Sequence, residues 1–187
     1  LDNNPEFAIC FTNMVVYYQN EDQYKKLVTS DQPEVTLEAL LERNHVTTQT
    51  CMFRNNRFDF PDGFEKLKMG DWPLHMMNAT TGKIGHLNDF TAVYRVHDRG
   101  IFSGENLIQR DLNVVDVYKL MKLWLPVSYR QQVERLITQL YYKIALRYMR
   151  IKDFTNAAVY VRKYRERVNP LVDLGSYKLI AHRLLKR

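Results

Sequence analysis

The hydrophobic pattern of this chain changes near residue 104, and this change most restricts the folds that it can adopt. Before that point, short apolar runs of strand length alternate with turn-forming residues such as Pro61, Gly63 and Gly82. Beyond it, apolar residues recur every three or four positions, most clearly over residues 133–148, which is the spacing of an amphipathic helix. We therefore predict a mixed α/β region at 1–104 and an all-helical region at 105–187.

Several segments of the first region have the apolar runs or the alternation that favour β-strands. The predicted strands are residues 7–11, 14–18, 47–53, 83–87 and 90–96. Residues 19–32 are polar and are predicted to form a loop or a hairpin tip. Two helices are predicted: one is capped by Thr36, and the other is capped by Asp71 and ends near Gly82.

The second region is predicted to contain four helices, with prolines marking two of their ends. They span residues 114–125, 133–148, 153–168 and 174–185, and Pro126 and Pro170 follow the first and the third. The apolar positions of the second and third helices also match one helix pair of a tetratricopeptide repeat. One such unit cannot bury its apolar face alone, so we expect a helical hairpin packed on the domain and no repeat array.

The composition fits a folded globular protein, since 45% of the 187 residues are hydrophobic and 26% are charged. No run of 18 apolar residues is present, so no membrane-spanning helix is predicted. Residues 1–5 lack the basic and apolar parts of a signal peptide, and we expect the chain to begin inside something longer. Cys10 and Cys51 have no metal-binding spacing and are expected to be buried free thiols in a reducing compartment.

Charge is distributed unevenly between the two regions. Residues 1–100 contain 10 Lys and Arg against 14 Asp and Glu, whereas residues 101–187 contain 17 against 7. The first part is therefore mildly acidic, while the second is strongly basic. Such asymmetry predicts that the two regions have different partners.

Three segments between residues 48 and 104 carry the most specific pattern in the sequence. In order, they are TCMFR at 50–54, MGDWPL at 69–74 and GKIGHLNDFTAVYRVH at 82–97. This series resembles the second half of a family 2 glycosyltransferase of the GT-A fold. Residues 1–13 also resemble the segment that follows the Asp-x-Asp motif of that family, so the resemblance covers roughly residues 1–104.

The resemblance implies a partial GT-A (Rossmann-like) mixed sheet with helices, followed by an all-helical C-terminal region. Members of the family transfer a sugar from a nucleotide-sugar to a hydroxyl group, usually with inversion. The resemblance maps Asp71 onto the family's general base. From the residues alone, Asp71 is a helix cap, and with the resemblance we expect it to serve both roles. The family often has Glu-Asp where this chain has Gly70-Asp71, which leaves one carboxylate fewer.

Other candidate site residues follow from the same resemblance. Trp72 would line a sugar, with a place in the core as the alternative. His97 would bind the metal or the diphosphate, because an imidazole is a suitable ligand for Mn²⁺. Arg95 and Arg99 would neutralise the diphosphate, with solvated or ion-paired side chains as the alternative. Arg54 is a weaker candidate for substrate binding.

The chain contains no Asp-x-Asp, and its 187 residues do not include the nucleotide-binding series of strands and helices that the GT-A fold places ahead of the segment with the resemblance. We therefore expect the isolated chain to be inactive and to hold no cofactor. In a full-length enzyme, Mn²⁺ or Mg²⁺ is expected as cofactor, with a nucleotide-sugar and a glycan or lipid-linked acceptor as substrates. An exposed sheet edge is expected where the other half would pair, and this edge could also support a homodimer.

The basic region 105–187 interleaves Lys and Arg with tyrosines. Its aromatic residues can lie in the core below a solvated basic face, or the region can contact a membrane surface. Nucleic acid is the least favoured partner because no nucleic-acid-binding motif is present. The expected location is cytoplasmic, with peripheral contact to the inner face of the membrane. The rival functional classes are a non-catalytic protein-interaction module and a nucleic-acid-binding helical protein.

Overall fold

The computed structural model describes residues 1–55, 58–98 and 106–168. The chain separates into two compact units, Leu1–Glu105 and Asn106–Arg187. The first unit has a mixed β-sheet with two α-helices, and the described part of the second unit is helical. The protein is therefore of the α/β type, with an open mixed sheet and five described α-helices.

The sheet of the N-terminal unit is built around one long strand. The strands are β1 (Phe7–Tyr18), β2 (Gln23–Leu27), β3 (Glu34–Val35), β4 (Met52–Phe53) and β5 (Lys83–Val96). The spatial order is β2-β1-β5-β3, and β4 also pairs with β1. Only the β1–β5 pairing is parallel. Because β1 contacts three other strands, its apolar residues Ala8, Ile9 and Phe11 lie at the centre of the core.

Two pairs of predicted strands are single continuous strands in the structure. Residues 7–11 and 14–18 join across Asn13, and residues 83–87 and 90–96 join across Asn88. Asn13 is fully buried, and its amide donates to Asn88 Oδ1 at 2.9 Å. The two polar residues that interrupt the apolar pattern therefore hydrogen-bond to each other across the sheet. For this reason they can lie inside continuous strands and do not mark turns. The β1–β5 register shifts on both sides of Asn13, which marks a bulge.

Two further sequence predictions were wrong in part. Residues 19–32 were predicted to form a loop or a hairpin tip, but residues 23–27 form the exposed strand β2, because they pair antiparallel with the end of β1. Within residues 47–53, only Met52–Phe53 is a strand, while Thr48–Thr50 forms a short 3-10 turn. The Thr50 hydroxyl donates to the carbonyls of Thr47 and Thr12, which stabilises the turn against β1.

The two helices of the N-terminal unit are α1 (Leu37–Glu42) and α2 (Asp71–Ala79). Thr36 caps α1 as predicted, and its hydroxyl accepts from the Ala39 N–H. The N-cap of α2 is Gly70, so Asp71 is the first helical residue and not the cap residue that was predicted. A side chain at Gly82, between α2 and β5, would meet the Glu6 carbonyl at 2.7 Å, which explains the glycine there.

The described helices of the C-terminal unit are α3 (Leu107–Trp124), α4 (Arg130–Arg150) and α5 (Phe154–Arg165). Asn106 caps α3 and Asp153 caps α5, each by accepting a backbone N–H. α4 and α5 form a hairpin in which Tyr148 stacks on Tyr160, with the ring centroids 5.7 Å apart. The predicted helix at 174–185 lies outside the described residues.

The α3–α4 pairing contains a buried ionic contact. Asp111 is only 5% exposed, and its carboxylate accepts from Lys143 at 2.9 Å and from Arg147 at 2.6 Å. Aromatic and basic side chains also meet inside the hairpin, where Lys163 lies over the ring of Tyr160 at 4.6 Å. Part of the basic, tyrosine-rich composition of this unit is therefore used for packing. Across the three described stretches, no helix combines the length and apolarity needed to cross a bilayer.

Candidate active site

Asp71 stands at the start of α2 with a partly exposed carboxylate. Its Oδ1 accepts the backbone N–H of Trp72 at 2.8 Å, and its Oδ2 accepts the hydroxyl of Thr48 at 2.9 Å. Both partners are neutral, so neither hydrogen bond places an opposite charge beside the carboxylate. The helix N-terminus, where backbone N–H groups point outward, does favour a negative charge at this position. The carboxylate is thus oriented, and each of its oxygens has a further lone pair for another hydrogen bond.

The contact with Thr48 brings together two segments that are distant in the sequence. Thr48 belongs to the short turn before β4, and Asp71 begins α2. The turn is itself attached to β1, because the Thr50 hydroxyl donates to the Thr12 carbonyl at 3.0 Å. Thr48 was not predicted as a site residue, and its sequence context, TTQT, carries no signal that would distinguish it from the neighbouring threonines.

Cys51 lies close to the same carboxylate. Its Sγ donates to the Thr48 carbonyl at 3.3 Å. Burial raises the pKa of the Cys51 thiol, and the negative charge of Asp71 raises it further. A raised pKa keeps sulfur protonated and poorly nucleophilic at neutral pH. Cys51 is therefore a weaker candidate for chemistry at this site than the carboxylate of Asp71.

His75 lies one helical turn after Asp71 and is almost fully buried. Neither ring nitrogen has a hydrogen-bond partner among the described residues. Burial lowers the pKa of His75 to about 4, although the negative charge of Asp71 opposes this effect. At neutral pH the imidazole is therefore uncharged and does not form an ion pair with Asp71. The i, i+4 spacing from Asp71 on a predicted helix was the sequence signal that could have drawn attention to it.

Trp72 occupies the core of the N-terminal unit. Its side chain is 6% exposed, and its indole N–H donates to the Leu40 carbonyl at 2.8 Å. The contact fastens α2 to α1. In this arrangement the ring faces protein atoms and presents almost no surface to a sugar, so the structure matches the alternative weighed for this residue.

Arg54 binds the first turn of the chain. Its guanidinium donates to the carbonyls of Phe7, Leu1 and Asn4 at 2.9, 2.8 and 3.2 Å. These contacts use the Nε and Nη2 donors of the guanidinium. Arg54 therefore serves to hold residues 1–7 against the sheet.

His97 and Arg95 lie at the end of β5. Arg95 is exposed and pairs in register with Tyr17 of β1. His97 lines a cavity of about 250 Å³ together with Glu21 and Asp98. Arg99 lies outside the described residues.

The structure does not join His97 to Asp71. Asp71 is linked through the 48–50 turn to Thr12, whereas Val96, which precedes His97, pairs with Tyr18. Six residues of strand separate Thr12 from Tyr18, which corresponds to about 20 Å. The two candidate residues are therefore anchored at different points along β1.

The donor set near His97 includes one imidazole and two carboxylates, all suitable for Mn²⁺ in principle. Even so, nowhere in the described stretches do three or more His, Cys, Asp or Glu side chains come together in a way that could hold a metal ion.

Comparisons with known proteins identify no relative of this chain. No family model matches it, and neither the curated proteins nor the solved structures contain a match.

Proposed function

We propose that this chain is the acceptor-side part of a family 2 glycosyltransferase of the GT-A fold, with Asp71 as the general base. The sequence resemblance motivates the proposal, and one observation supports it best. Asp71, in the second motif segment, accepts a hydrogen bond from Thr48, which lies two residues before the first segment. β4, from the first segment, and β5, from the third, both pair with β1, so these two segments lie in one sheet.

In the proposed reaction, the acceptor hydroxyl donates a hydrogen bond to the Asp71 carboxylate. Its oxygen attacks the anomeric carbon of the nucleotide-sugar while the bond from that carbon to the diphosphate oxygen breaks. The hydroxyl proton passes to Asp71, and the nucleoside diphosphate leaves with the bonding electron pair. General-base catalysis of this kind contributes about 10²- to 10⁴-fold to the rate. Thr48 and the Trp72 N–H hold the carboxylate in place during the transfer.

The nucleotide-sugar would be bound by residues outside this chain, since no Asp-x-Asp occurs within it. A bound Mn²⁺ or Mg²⁺ would neutralise the diphosphate, with His97 as one ligand. Arg95 and Arg99 would assist through their positive charges. Trp72 would act through the fold, because it fixes the start of α2, and not by touching the sugar.

The test uses the longest natural protein that contains this chain, assayed for sugar transfer with Mn²⁺. Asp71→Asn keeps the size and the hydrogen-bond acceptor but removes the base, so the rate is expected to fall by at least about a hundredfold. Thr48→Val removes only the orienting hydrogen bond and is expected to cause a smaller loss. Unchanged transfer in Asp71→Asn would leave this residue as a helix-start residue and would favour the non-catalytic interaction module.

A further inference from the structure

The turn between α3 and α4 exposes apolar side chains on its outer surface. We call residues 119–130 the α3–α4 tip. Leu123 is 78% exposed and Val127 is 68% exposed, and Pro126 between them is also exposed. Trp124 is half-buried. Single exposed apolar residues are common on proteins, but here three occur within residues 123–127, together with a half-buried indole.

The tip is a fixed structure that holds these side chains outward. Leu125 is buried, and its N–H donates to the Met121 carbonyl at 2.7 Å. The Tyr129 N–H donates to the Pro126 carbonyl at 3.0 Å. Because Leu125 anchors the turn from inside, Leu123 and Val127 cannot be buried by a small local rotation of the backbone.

The charged residues of the tip itself are all basic. Residues 117–133 contain Lys119, Lys122 and Arg130 and no Asp or Glu. The nearest acidic residues in the sequence are Asp116 and Glu134, which pair with Lys119 and Lys122. Both ion pairs are exposed or partly exposed, so an external anion can compete for the lysines at little cost.

We propose that the α3–α4 tip contacts an anionic lipid surface. Leu123 and Val127 would enter the boundary between headgroups and acyl chains, where apolar side chains leave water. Trp124 would lie at headgroup level, as amphipathic rings do in membrane interfaces. Lys119, Lys122 and Arg130 would face the negative lipid phosphates.

The presence of both exposed apolar and basic side chains at the tip favours a lipid surface over a nucleic acid as the partner. Phosphate contacts along a nucleic acid need cations, but they gain nothing from exposed Leu and Val side chains. The proposal does not depend on the glycosyltransferase activity, because it rests only on the surface of the C-terminal unit. It would nevertheless suit an enzyme whose acceptor is linked to a lipid.

The test is flotation of the full chain with phosphatidylcholine vesicles that contain or lack phosphatidylglycerol. Binding is expected only with the anionic lipid and is expected to weaken with added salt. Leu123→Ser combined with Val127→Ser should reduce partitioning by at least about tenfold, because both side chains would no longer be apolar. Ile151→Ser is the matched control, since Ile151 is 63% exposed at the α4–α5 turn and is flanked by Arg150 and Lys152.

Trp124 supplies an independent readout. Brominated lipids should quench its fluorescence, and Trp124→Phe should abolish the quenching, while the buried Trp72 of the N-terminal unit remains silent. The proposal is overturned if the wild-type chain does not bind anionic vesicles, or if Ile151→Ser weakens binding as much as the double variant. It is also overturned if binding persists unchanged in the double variant, or if the brominated lipids leave Trp124 unquenched. Circular dichroism confirms that each variant is folded.

Discussion

The two units of this protein satisfy their buried polar groups in different ways. In the N-terminal unit, the fully buried Asn13 makes neutral hydrogen bonds to three groups: the Thr29 N–H, a His86 ring nitrogen and Asn88. In the C-terminal unit, the buried Asp111 makes ionic contacts with Lys143 and Arg147. The first network joins strands that are more than seventy residues apart, while the second joins neighbouring helices.

This difference follows from the topology of each unit. A sheet assembled from distant segments needs its polar groups matched across strands, and amides and imidazoles provide directional partners at short range. Adjacent helices are already held close by a short connection, so a long basic side chain can reach an acidic residue on the neighbouring helix. The same contrast explains why Asp71 and Asp111 differ. Asp71 has neutral partners and partial exposure, whereas Asp111 is occupied by two cations.

The largest changes in stability are expected from substitutions in the cores, and they test whether the two units have separate cores. Phe11→Ala removes a fully buried ring from the sheet and is expected to destabilise the N-terminal unit by about 4 kcal/mol. Ile144→Ala, at a fully buried position in α4, is the counterpart in the C-terminal unit, with an expected cost of about 3 kcal/mol. Hydrogen exchange should increase only in the mutated unit. Faster exchange in β1 after Ile144→Ala would mean that the units unfold together.

The second prediction is that acid destabilises the N-terminal unit more than the C-terminal unit, because His75 is buried in the former. His75 has a pKa of about 4 in the folded state against 6.5 for the free side chain, so the unfolded state binds its proton more readily. The contribution of His75 to the free energy of unfolding is present above pH 6.5 and is lost as pH falls towards 4. The loss amounts to roughly 3 kcal/mol.

Urea unfolding at pH 7 and pH 4.5 measures this loss, and His75→Leu should reduce it. The described part of the C-terminal unit contains no histidine, so its exchange rates should change less over the same range. If His75→Leu and the wild type lose the same stability between pH 7 and pH 4.5, groups other than His75 cause the loss.

The smallest effect tests the ionic contact itself. Asp111→Ala leaves Arg147 without its carboxylate partner while the arginine is still largely buried, and a loss of about 2 kcal/mol is expected. This loss is smaller than is usual when one partner of a buried ion pair is removed. The reason is that Lys143 is half exposed and can turn to solvent. Asp116→Ala is the control, since its ion pair with Lys119 is exposed on both sides and should contribute close to nothing. Thermal unfolding of both variants measures the difference.

The helical half of the fold was largely predictable from the sequence. The periodicity of residues 133–148 identified α4, although the helix extends further, to Arg130 and Arg150. Residues 153–168 contain α5, with Asp153 as its cap. Helical periodicity is a local property, because the residues that share a face lie three or four positions apart. The start of α3 at Leu107 was missed because its first turns lack a clear apolar stripe.

The sheet and the candidate site were less predictable. Predicted breaks in β1 and β5 are absent because Asn13 and Asn88 bond to each other across the sheet. The position of Asp71 at a helix start was predicted, but its link to Thr48 was not. The burial of Trp72 and the contacts of Arg54 depend on carbonyl groups far away in the sequence, which no local pattern reveals.

By itself, the sequence determined the division into an α/β region and a helical region, the helix-forming segments and the candidate carboxylate at residue 71. Tertiary structure alone decided that β1 pairs with three other strands and that the α3–α4 tip presents Leu123 and Val127 to the outside. It also decided that His75 is buried with no hydrogen-bond partner in the described part of the chain. The physical reason is the range of the interactions. Periodicity and capping act within a few residues, whereas strand pairing, burial and exposure depend on which distant segments fill the space around each side chain.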